Sequence, residues 1–194
     1  MEFIWNLVLG TWNLNMTVNI LISGFGGQGL MSLGKLLATC AIREGKSATY
    51  FPSYGAEVRG GTAYCFVKIS DERIASPLVE TSDVAMLLNQ QSIELFKKIF
   101  NKNCFFVLNA DLIKDKSQIS KGKIVYLPLN KIALDCGNIK CANVVALGVL
   151  IKQMPNLLKQ STIIEFLKEV FHNNKELIEQ NIKALYEGEK HGKS

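Results

Sequence analysis

The stretch at residues 18–43 constrains the fold more than any other part of this chain. An apolar run typical of a β-strand leads directly into a six-residue turn, and apolar residues then recur at helical spacing from Leu30 to Ala41. The turn reads G-F-G-G-Q-G, and besides the phenylalanine it consists of Gly24, Gly26, Gly27, Gln28 and Gly29. Strand, G-x-G-x-x-G turn and helix in that order begin a doubly wound α/β sheet. We therefore predict a Rossmann-like, doubly wound, mostly parallel sheet.

The same turn is weaker support for a bound nucleotide. The free N–H groups and the positive dipole end of the following helix favour an anion. Proteins that bind NAD through such a turn place an acidic residue at the end of the second strand, where it holds the ribose. The predicted second strand, residues 47–51, runs into Pro52 without an acid, and Glu44 and Glu57 lie too early and too late. The sequence therefore favours the fold more than the dinucleotide.

The middle of the chain predicts an antiparallel hairpin insertion, and its end predicts several helices. Residues 62–70 alternate as a half-buried strand does, and a short turn leads into residues 73–76. We expect Ser76-Pro77 to close this hairpin. One face of the strand carries Tyr64 and Phe66 and is too aromatic for a solvated face. Either a helix of this chain or a partner covers it.

Composition narrows the function classes. The chain has 194 residues and a net charge of +5, without a basic stripe of interleaved aromatic residues, so we expect no nucleic-acid partner. Its five cysteines are odd in number and form no C-x-x-C pair, which argues against a metal site and favours a reducing cytoplasm. Cys40 and Cys104 lie in apolar segments, and we expect both to be small buried hydrophobic residues.

Residues 1–15 read as an extension of the domain. They are apolar, yet they contain no lysine or arginine, lack a small-residue cleavage site and are too short to span a bilayer. Met16 is the natural start, or residues 1–15 form a loose appendage. Residues 16–190 then make up one domain, followed by a tail at 191–194, and we expect no membrane partner.

Several short motifs occur together along the chain. The glycine turn is followed by S-Y-G-A-E-V-R-G-G-T-A at 53–63, I-A-S-P at 74–77, L-N-Q at 88–90 and N-V-V-A-L-G at 143–148. With these motifs the chain resembles, from about Met16 to Lys190, the γ subunit or fused γ domain of the 2-oxoacid:ferredoxin oxidoreductases. The pattern E-x-R-G-G-T-A with Cys65 is most similar to the 2-oxoglutarate type.

The resemblance implies an activity for a larger complex. In that family a 2-oxoacid and coenzyme A give an acyl-CoA and carbon dioxide, with electrons passed to ferredoxin. Thiamine diphosphate, Mg²⁺ and iron–sulfur clusters sit mainly on the α, β and ferredoxin-like δ subunits. This chain lacks a G-D-G…N-N thiamine motif and a cysteine quartet, so we expect it to be inactive alone. Pyruvate and branched-chain 2-oxoacids are the alternative substrates.

The loop after the second strand holds most of the predicted site residues, which are Ser53, Tyr54, Glu57, Arg59, Gly60 and Gly61. Arg59 faces a neighbouring subunit or the acyl/CoA region, fixed by Glu57, because its planar fork suits carboxylate or phosphate. Alternatively, the two form an internal ion pair that shapes the loop. Tyr54 either walls the entrance to a shared active site or is a packed ring.

Two further residues complete the predicted ligand or interface set. Gln28 could bond a ligand or partner, although a cap-like structural role fits it better. Asn89 follows a strand at the carboxyl edge of the sheet, where ligands of α/β folds gather. Ser92 is the predicted cap of the next helix. No residue is a convincing general base or nucleophile.

Three hypotheses follow. The chain is a subunit of a 2-oxoacid:ferredoxin oxidoreductase, where it completes the complex and helps to enclose coenzyme A. Alternatively, it is a free-standing NAD(P)-binding oxidoreductase. A third possibility is an assembly module without any ligand contact.

Overall fold

The computed structural model describes residues 17–54 and 62–192, and of Tyr54 it describes the backbone alone. The strands are β1 Val18–Phe25, β2 Ser47–Tyr54, β3 Thr62–Ser70, β4 Ser82–Leu87, β5 Phe100–Asn109 and β6 Lys123–Leu127. The α-helices are α1 Leu30–Arg43, α2 Gln90–Phe96, α3 Leu129–Asp135, α4 Ala142–Gln153, α5 Gln160–Val170 and α6 Lys175–His191. The extension predicted for residues 1–15 and the start predicted at Met16 lie outside the described residues.

The described strands form one sheet in the order β2-β3-β1-β4-β5-β6. β1, β4, β5 and β6 run parallel to their neighbours in that set, whereas β3 is antiparallel to both β1 and β2. The predicted mostly parallel sheet with an antiparallel insertion and C-terminal helices is therefore confirmed. None of the described helices is long and apolar enough to cross a bilayer.

The hairpin was predicted at the wrong place. Residues 73–76 form no strand, and β3 instead pairs with β2, from Ser47 opposite Ser70 to Tyr54 opposite Ala63. The backbone oxygen of Ser76 accepts a hydrogen bond of 2.9 Å from Lys68 Nζ, so this segment only crosses beside β3. β2 also continues beyond the predicted residue 51, through a proline, because an edge strand tolerates a missing N–H.

Helices cover both faces of the sheet unequally. The larger core joins one face to α1 and to the helices after β6, and the smaller core joins the other face to α2. On the smaller side Phe96 of α2 lies 4.8 Å from Tyr64 and 6.1 Å from Phe66, measured between ring centroids. A helix therefore covers the inner part of the aromatic face. The outer part stays open, since Phe51 of the edge strand is 46% exposed.

Two glycines let α4 and α6 cross in backbone contact. A methyl group on Gly148 would collide with the carbonyl oxygen of Leu185, and one on Gly188 with the carbonyl oxygen of Val145. Backbone atoms cannot move aside as a flexible side chain can, so both positions need glycine. Gly148 is the last residue of the N-V-V-A-L-G motif, and the crossing gives a packing reason for glycine at this position.

Replacing Gly188 by alanine should destabilise the chain. Helix propensity alone would make Gly→Ala stabilising by about 1 kcal/mol, but the collision with Val145 forces the helices apart. Overpacking of this kind costs about 1–3 kcal/mol. We expect the free energy of unfolding from urea titration to fall by up to about 2 kcal/mol, which is the overpacking cost less the gain in helix propensity.

Gly26→Ala is the matched control, since a methyl group there meets no atom of the described ranges within 4 Å. Its free energy of unfolding should stay within about 0.5 kcal/mol of the parent chain. A rise in stability for Gly188→Ala, as propensity predicts, would contradict the crossing.

Candidate functional site

The topology creates a switch point at the carboxyl ends of β1 and β4. From β1 the chain passes through α1 to β2 on one side of the sheet, and from β4 it passes through α2 to β5 on the other. In open α/β sheets, ligands bind in the crevice where the strand order reverses in this way. The glycine turn follows β1, and Asn89 follows β4. The structure therefore brings these two predicted features together at one edge.

Two glycines of the turn are needed by the fold itself. Gly29 has a φ of 73°, in the left-handed region, and a methyl group there would collide with the Asn143 side chain. Asn143 Nδ2 donates a hydrogen bond of 3.0 Å to the Gly29 carbonyl oxygen, which holds the turn against the start of α4. A methyl group on Gly24 would come within 2.9 Å of Leu88 Cβ.

Gly26 differs from these two positions. It is exposed, its φ lies outside the positive range, and a methyl group there meets no atom of a described residue within 4 Å. Gly27 is also exposed and open, although its φ of 90° favours glycine. The packing of the described residues therefore does not require glycine at position 26. A backbone without a side chain at an exposed turn lets another molecule approach closely.

Gln28 folds back onto its own turn. Its Oε1 accepts a hydrogen bond of 2.6 Å from the Phe25 backbone nitrogen, so the side chain closes the turn. The contact is structural, but it does not cap the helix, since the cap of α1 is Gly29 and Phe25 belongs to β1. Gln28 Nε2 makes no hydrogen bond to any residue in the described ranges, which leaves a donor at the same edge.

Asn89 begins α2, a role the sequence assigned to Ser92. Its Oδ1 accepts hydrogen bonds from the Ser92 nitrogen at 2.9 Å and from Ser92 Oγ at 2.5 Å. Ser92 lies inside the first turn, because the cap of the helix lies three residues earlier than predicted. Ser92 Oγ also lies 2.7 Å from Ser23 Oγ at the end of β1, so a buried polar chain links β1 to α2.

The amide nitrogen of Asn89 is the unusual member of this chain. Asn89 has no exposed surface, and its Nδ2 has no hydrogen-bond partner among the residues that the structure describes. Buried donors without partners cost about 1–3 kcal/mol and are few in native proteins. This donor lies at the switch point, next to the glycine turn.

Most of the predicted loop residues lie outside the described ranges, namely Glu57, Arg59, Gly60 and Gly61. Ser53 is half-buried on β2 opposite Tyr64. Thr62, the first described residue after the loop, bonds through Oγ1 to Gln91 Oε1 at 3.2 Å. The chain therefore enters and leaves this loop at the carboxyl edge, beside the helix that Asn89 caps.

The cysteines are not placed for chemistry. All five are buried, as expected for Cys40 and Cys104, and no group of three metal-ligating side chains occurs among the described residues. Burial raises the pKa of the Cys40, Cys65 and Cys104 thiols to about 12. A thiol with so high a pKa stays protonated at neutral pH, whereas nucleophiles and metal ligands need the thiolate.

Sequence reasoning missed the contact between Asn143 and Gly29. The two residues are 114 positions apart, so no local spacing connects them. The available signal was one carboxamide at the start of an otherwise apolar helix. A buried amide needs a partner, but the sequence does not say which one.

The chain matches the pyruvate ferredoxin/flavodoxin oxidoreductase family over residues 19–190. It is 35% identical over 173 residues to the ketoisovalerate oxidoreductase subunit VorA of Methanothermobacter thermautotrophicus, covering 88% of this chain. That match spans only 35% of the relative, about a third of its length. The 2-oxoglutarate synthase subunit KorC of Methanocaldococcus jannaschii is 30% identical, with 90% of this chain and 94% of the relative covered.

Solved structures agree in fold. A 2-oxoglutarate:ferredoxin oxidoreductase from Magnetococcus marinus superposes with a TM-score of 0.82 at 25% identity, covering 91% of this chain and 31% of that one. The γ subunit of a keto/oxoacid ferredoxin oxidoreductase from Geobacter sulfurreducens gives 0.73 at 26% identity, covering 90% of this chain and 98% of that one. This chain belongs to the pyruvate ferredoxin/flavodoxin oxidoreductase family.

Proposed function

We propose that this chain is the γ subunit of a multi-subunit 2-oxoacid:ferredoxin oxidoreductase. The observation that carries the proposal is the family match over residues 19–190, together with near-complete coverage of the KorC and Geobacter γ subunits. The complex would convert a 2-oxoacid and coenzyme A to an acyl-CoA and carbon dioxide, and would pass the electrons to ferredoxin. Its other members would be α, β and ferredoxin-like δ subunits.

The chemical groups at the carboxyl edge of β1 and β4 suit a chain that positions a reactant without carrying the redox chemistry. Exposed backbone amides, hydroxyls and carboxamides can position and enclose a reactant, but they neither carry electrons nor stabilise a carbanion. These groups do not fit an iron–sulfur cluster or thiamine diphosphate, so we derive no step through either in this chain. The partner subunits would hold both cofactors and the Mg²⁺.

At the switch point, the exposed glycines would form the surface that meets the rest of the complex. Gly26 leaves the backbone bare, and the start of α1 favours a negative charge. Coenzyme A carries phosphates, and the Magnetococcus enzyme holds coenzyme A and succinyl-CoA. Enclosure of coenzyme A at this edge, with Arg59 as the predicted anion partner, is the finer part of the proposal.

A free-standing NAD(P) enzyme fits the topology less well. In a dinucleotide-binding sheet the acid that holds the ribose ends the strand next to β1. Here β3 lies between β1 and β2, which puts the end of β2 about 10 Å from β1 at the usual strand spacing. The distance of β2 from β1 is thus a second argument against a bound dinucleotide, besides the missing acidic residue.

The substrate is narrowed to a 2-oxoacid. The motif with Cys65 favours 2-oxoglutarate, while the relative at 35% identity acts, by its name, on ketoisovalerate. We propose 2-oxoglutarate or a branched-chain 2-oxoacid as the substrate of the complex, and we expect the thiamine-binding subunits to select between them.

An affinity-tagged copy expressed in its native host should copurify with thiamine-binding and iron–sulfur subunits. The complex should reduce ferredoxin with coenzyme A and either 2-oxoglutarate or 2-ketoisovalerate, and assays with each acid would identify the substrate. The purified chain alone should give no turnover, and calorimetry should detect no binding of NAD or NADP. Turnover by the isolated chain would refute the proposal.

Gly26→Leu tests the role of the edge. The free energy of unfolding of the variant should stay within about 0.5 kcal/mol of that of the parent, because no described residue lies close to a methyl group at position 26. The complex should nevertheless lose at least tenfold in turnover or in subunit association. Lost turnover in an intact complex indicates enclosure of a reactant, and lost association indicates an assembly surface. Glu72→Val, exposed at the opposite edge, should change neither. If Gly26→Leu behaves like that control, the proposed edge is wrong.

A further inference from the structure

The outer part of the smaller face of the sheet is apolar and open. Phe51 of β2 lies directly opposite Phe66 of β3 in the antiparallel register, so both rings stand on this face. α2 covers the inner rings through Phe96, whereas Phe51 stays 46% exposed. Leu95, next to Phe96 in α2, is 57% exposed. The described residues thus leave an apolar surface open here, and such surfaces mark contacts.

The described chain begins on the same side of the sheet. Thr17, just before β1, donates a hydrogen bond of 3.0 Å from Oγ1 to Oγ of Ser70, the last residue of β3. Ser70 shares the face of Phe66, because side chains alternate along a strand and the two residues are four positions apart. Residues 1–16 are therefore joined to the domain at the aromatic face.

The composition of residues 1–16 suits a segment that packs against protein. Ten of these sixteen residues are apolar, and Glu2 carries the one charged side chain. Solvated tails have the opposite composition, and membrane-surface anchors are rich in lysine and arginine. The family match begins at residue 19, so this segment lies outside the shared domain. Its large apolar side chains are Phe3, Ile4, Trp5, Leu7, Val8, Leu9, Trp12 and Leu14.

The open face is within reach of this segment. Along β3, Phe66 lies four residues from Ser70, which is roughly 13 Å, and β2 lies two strands from β1, which is roughly 10 Å. Phe51 is therefore about 16 Å from Thr17, a distance that about five extended residues span. Trp12 is five residues from Thr17, so Trp12 and the residues before it can lie over Phe51.

A second open apolar surface lies farther from the point of attachment. It is a half-open cleft between α1 and the C-terminal helices, with Gly27, Gly29 and Val170 among its lining residues. The glycines follow the far end of β1, whose eight residues span roughly 26 Å. Reach and the position of Thr17 both favour the aromatic face over this cleft.

We propose that residues 3–14 pack across the open aromatic face around Phe51 of the same chain. The segment and the face would shield each other's apolar side chains from water. The proposed function concerns the glycine turn at the carboxyl edge, so either assignment can fail without the other.

Tryptophan fluorescence reports on this segment alone, because Trp5 and Trp12 are the two tryptophans of the chain. In the full 194-residue chain the emission should be blue-shifted from that of the urea-unfolded chain, and acrylamide should quench it at least threefold less. Dilution should change neither result, since the contact lies within one chain. Emission like that of the unfolded chain would overturn the proposal. A blue shift that fades on dilution would also overturn it, because a second copy would then supply the contact.

Aspartate variants at two exposed apolar residues test the location. Phe51→Asp puts a charge on the aromatic face and should raise acrylamide quenching at least threefold. Val170→Asp is the matched control, since Val170 is 51% exposed at the cleft, and it should leave the quenching unchanged. Phe51→Thr removes the ring but keeps a side chain that suits a strand, so it decides the question if Phe51→Asp does not fold. Unchanged quenching in the Phe51 variants, or a larger change in Val170→Asp, would contradict the proposed location.

The segment must also be present in the natural protein. Mass spectrometry of the chain purified from its native host should give an intact mass that includes residues 1–15. A mass that starts at Met16 would refute the proposal.

Discussion

The hydrogen bond from Asn143 to the Gly29 carbonyl is the interaction on which the arrangement of this molecule depends. It joins the first turn of α4 to the glycine turn after β1, across 114 residues of sequence. Because the amide approaches so closely, position 29 cannot carry a side chain, and its left-handed φ requires glycine for a second reason. The bond thereby sets where α1 begins and how the turn faces the edge of the sheet.

The glycines of the turn consequently have two different roles. The packing of this chain requires glycine at positions 24 and 29, whereas no described residue requires glycine at position 26. The unpartnered amide of Asn89 lies at the same switch point. Gly26 is exposed and fits a surface that another molecule completes, whereas Asn89 is buried and its amide nitrogen has no partner within the described part of the chain. The exposed Gly26 is therefore the physical argument for the proposed contact with another subunit.

The sequence predicted the helices and strands far better than the contacts between them. The spacing of apolar residues and the residues typical of turns were enough to predict the strand, glycine turn and helix at residues 18–43. They were also enough to predict the helices at the C-terminal end. The order β2-β3-β1 was not predictable. Although β2 and β3 are consecutive in sequence, the antiparallel pairing of β3 with β1 depends on contacts that are distant in sequence. Asn89 and Ser92 are both good capping residues, and only the extended backbone of Asn89 identifies it as the cap.

Hydrogen–deuterium exchange tests most directly whether the switch-point edge meets the rest of the complex. The isolated chain and the copurified complex are compared peptide by peptide. Amides at residues 24–29 should exchange more slowly in the complex, while those at residues 71–75, at the opposite edge, should change less. Equal exchange at residues 24–29 in both samples, within an active complex, would contradict the account.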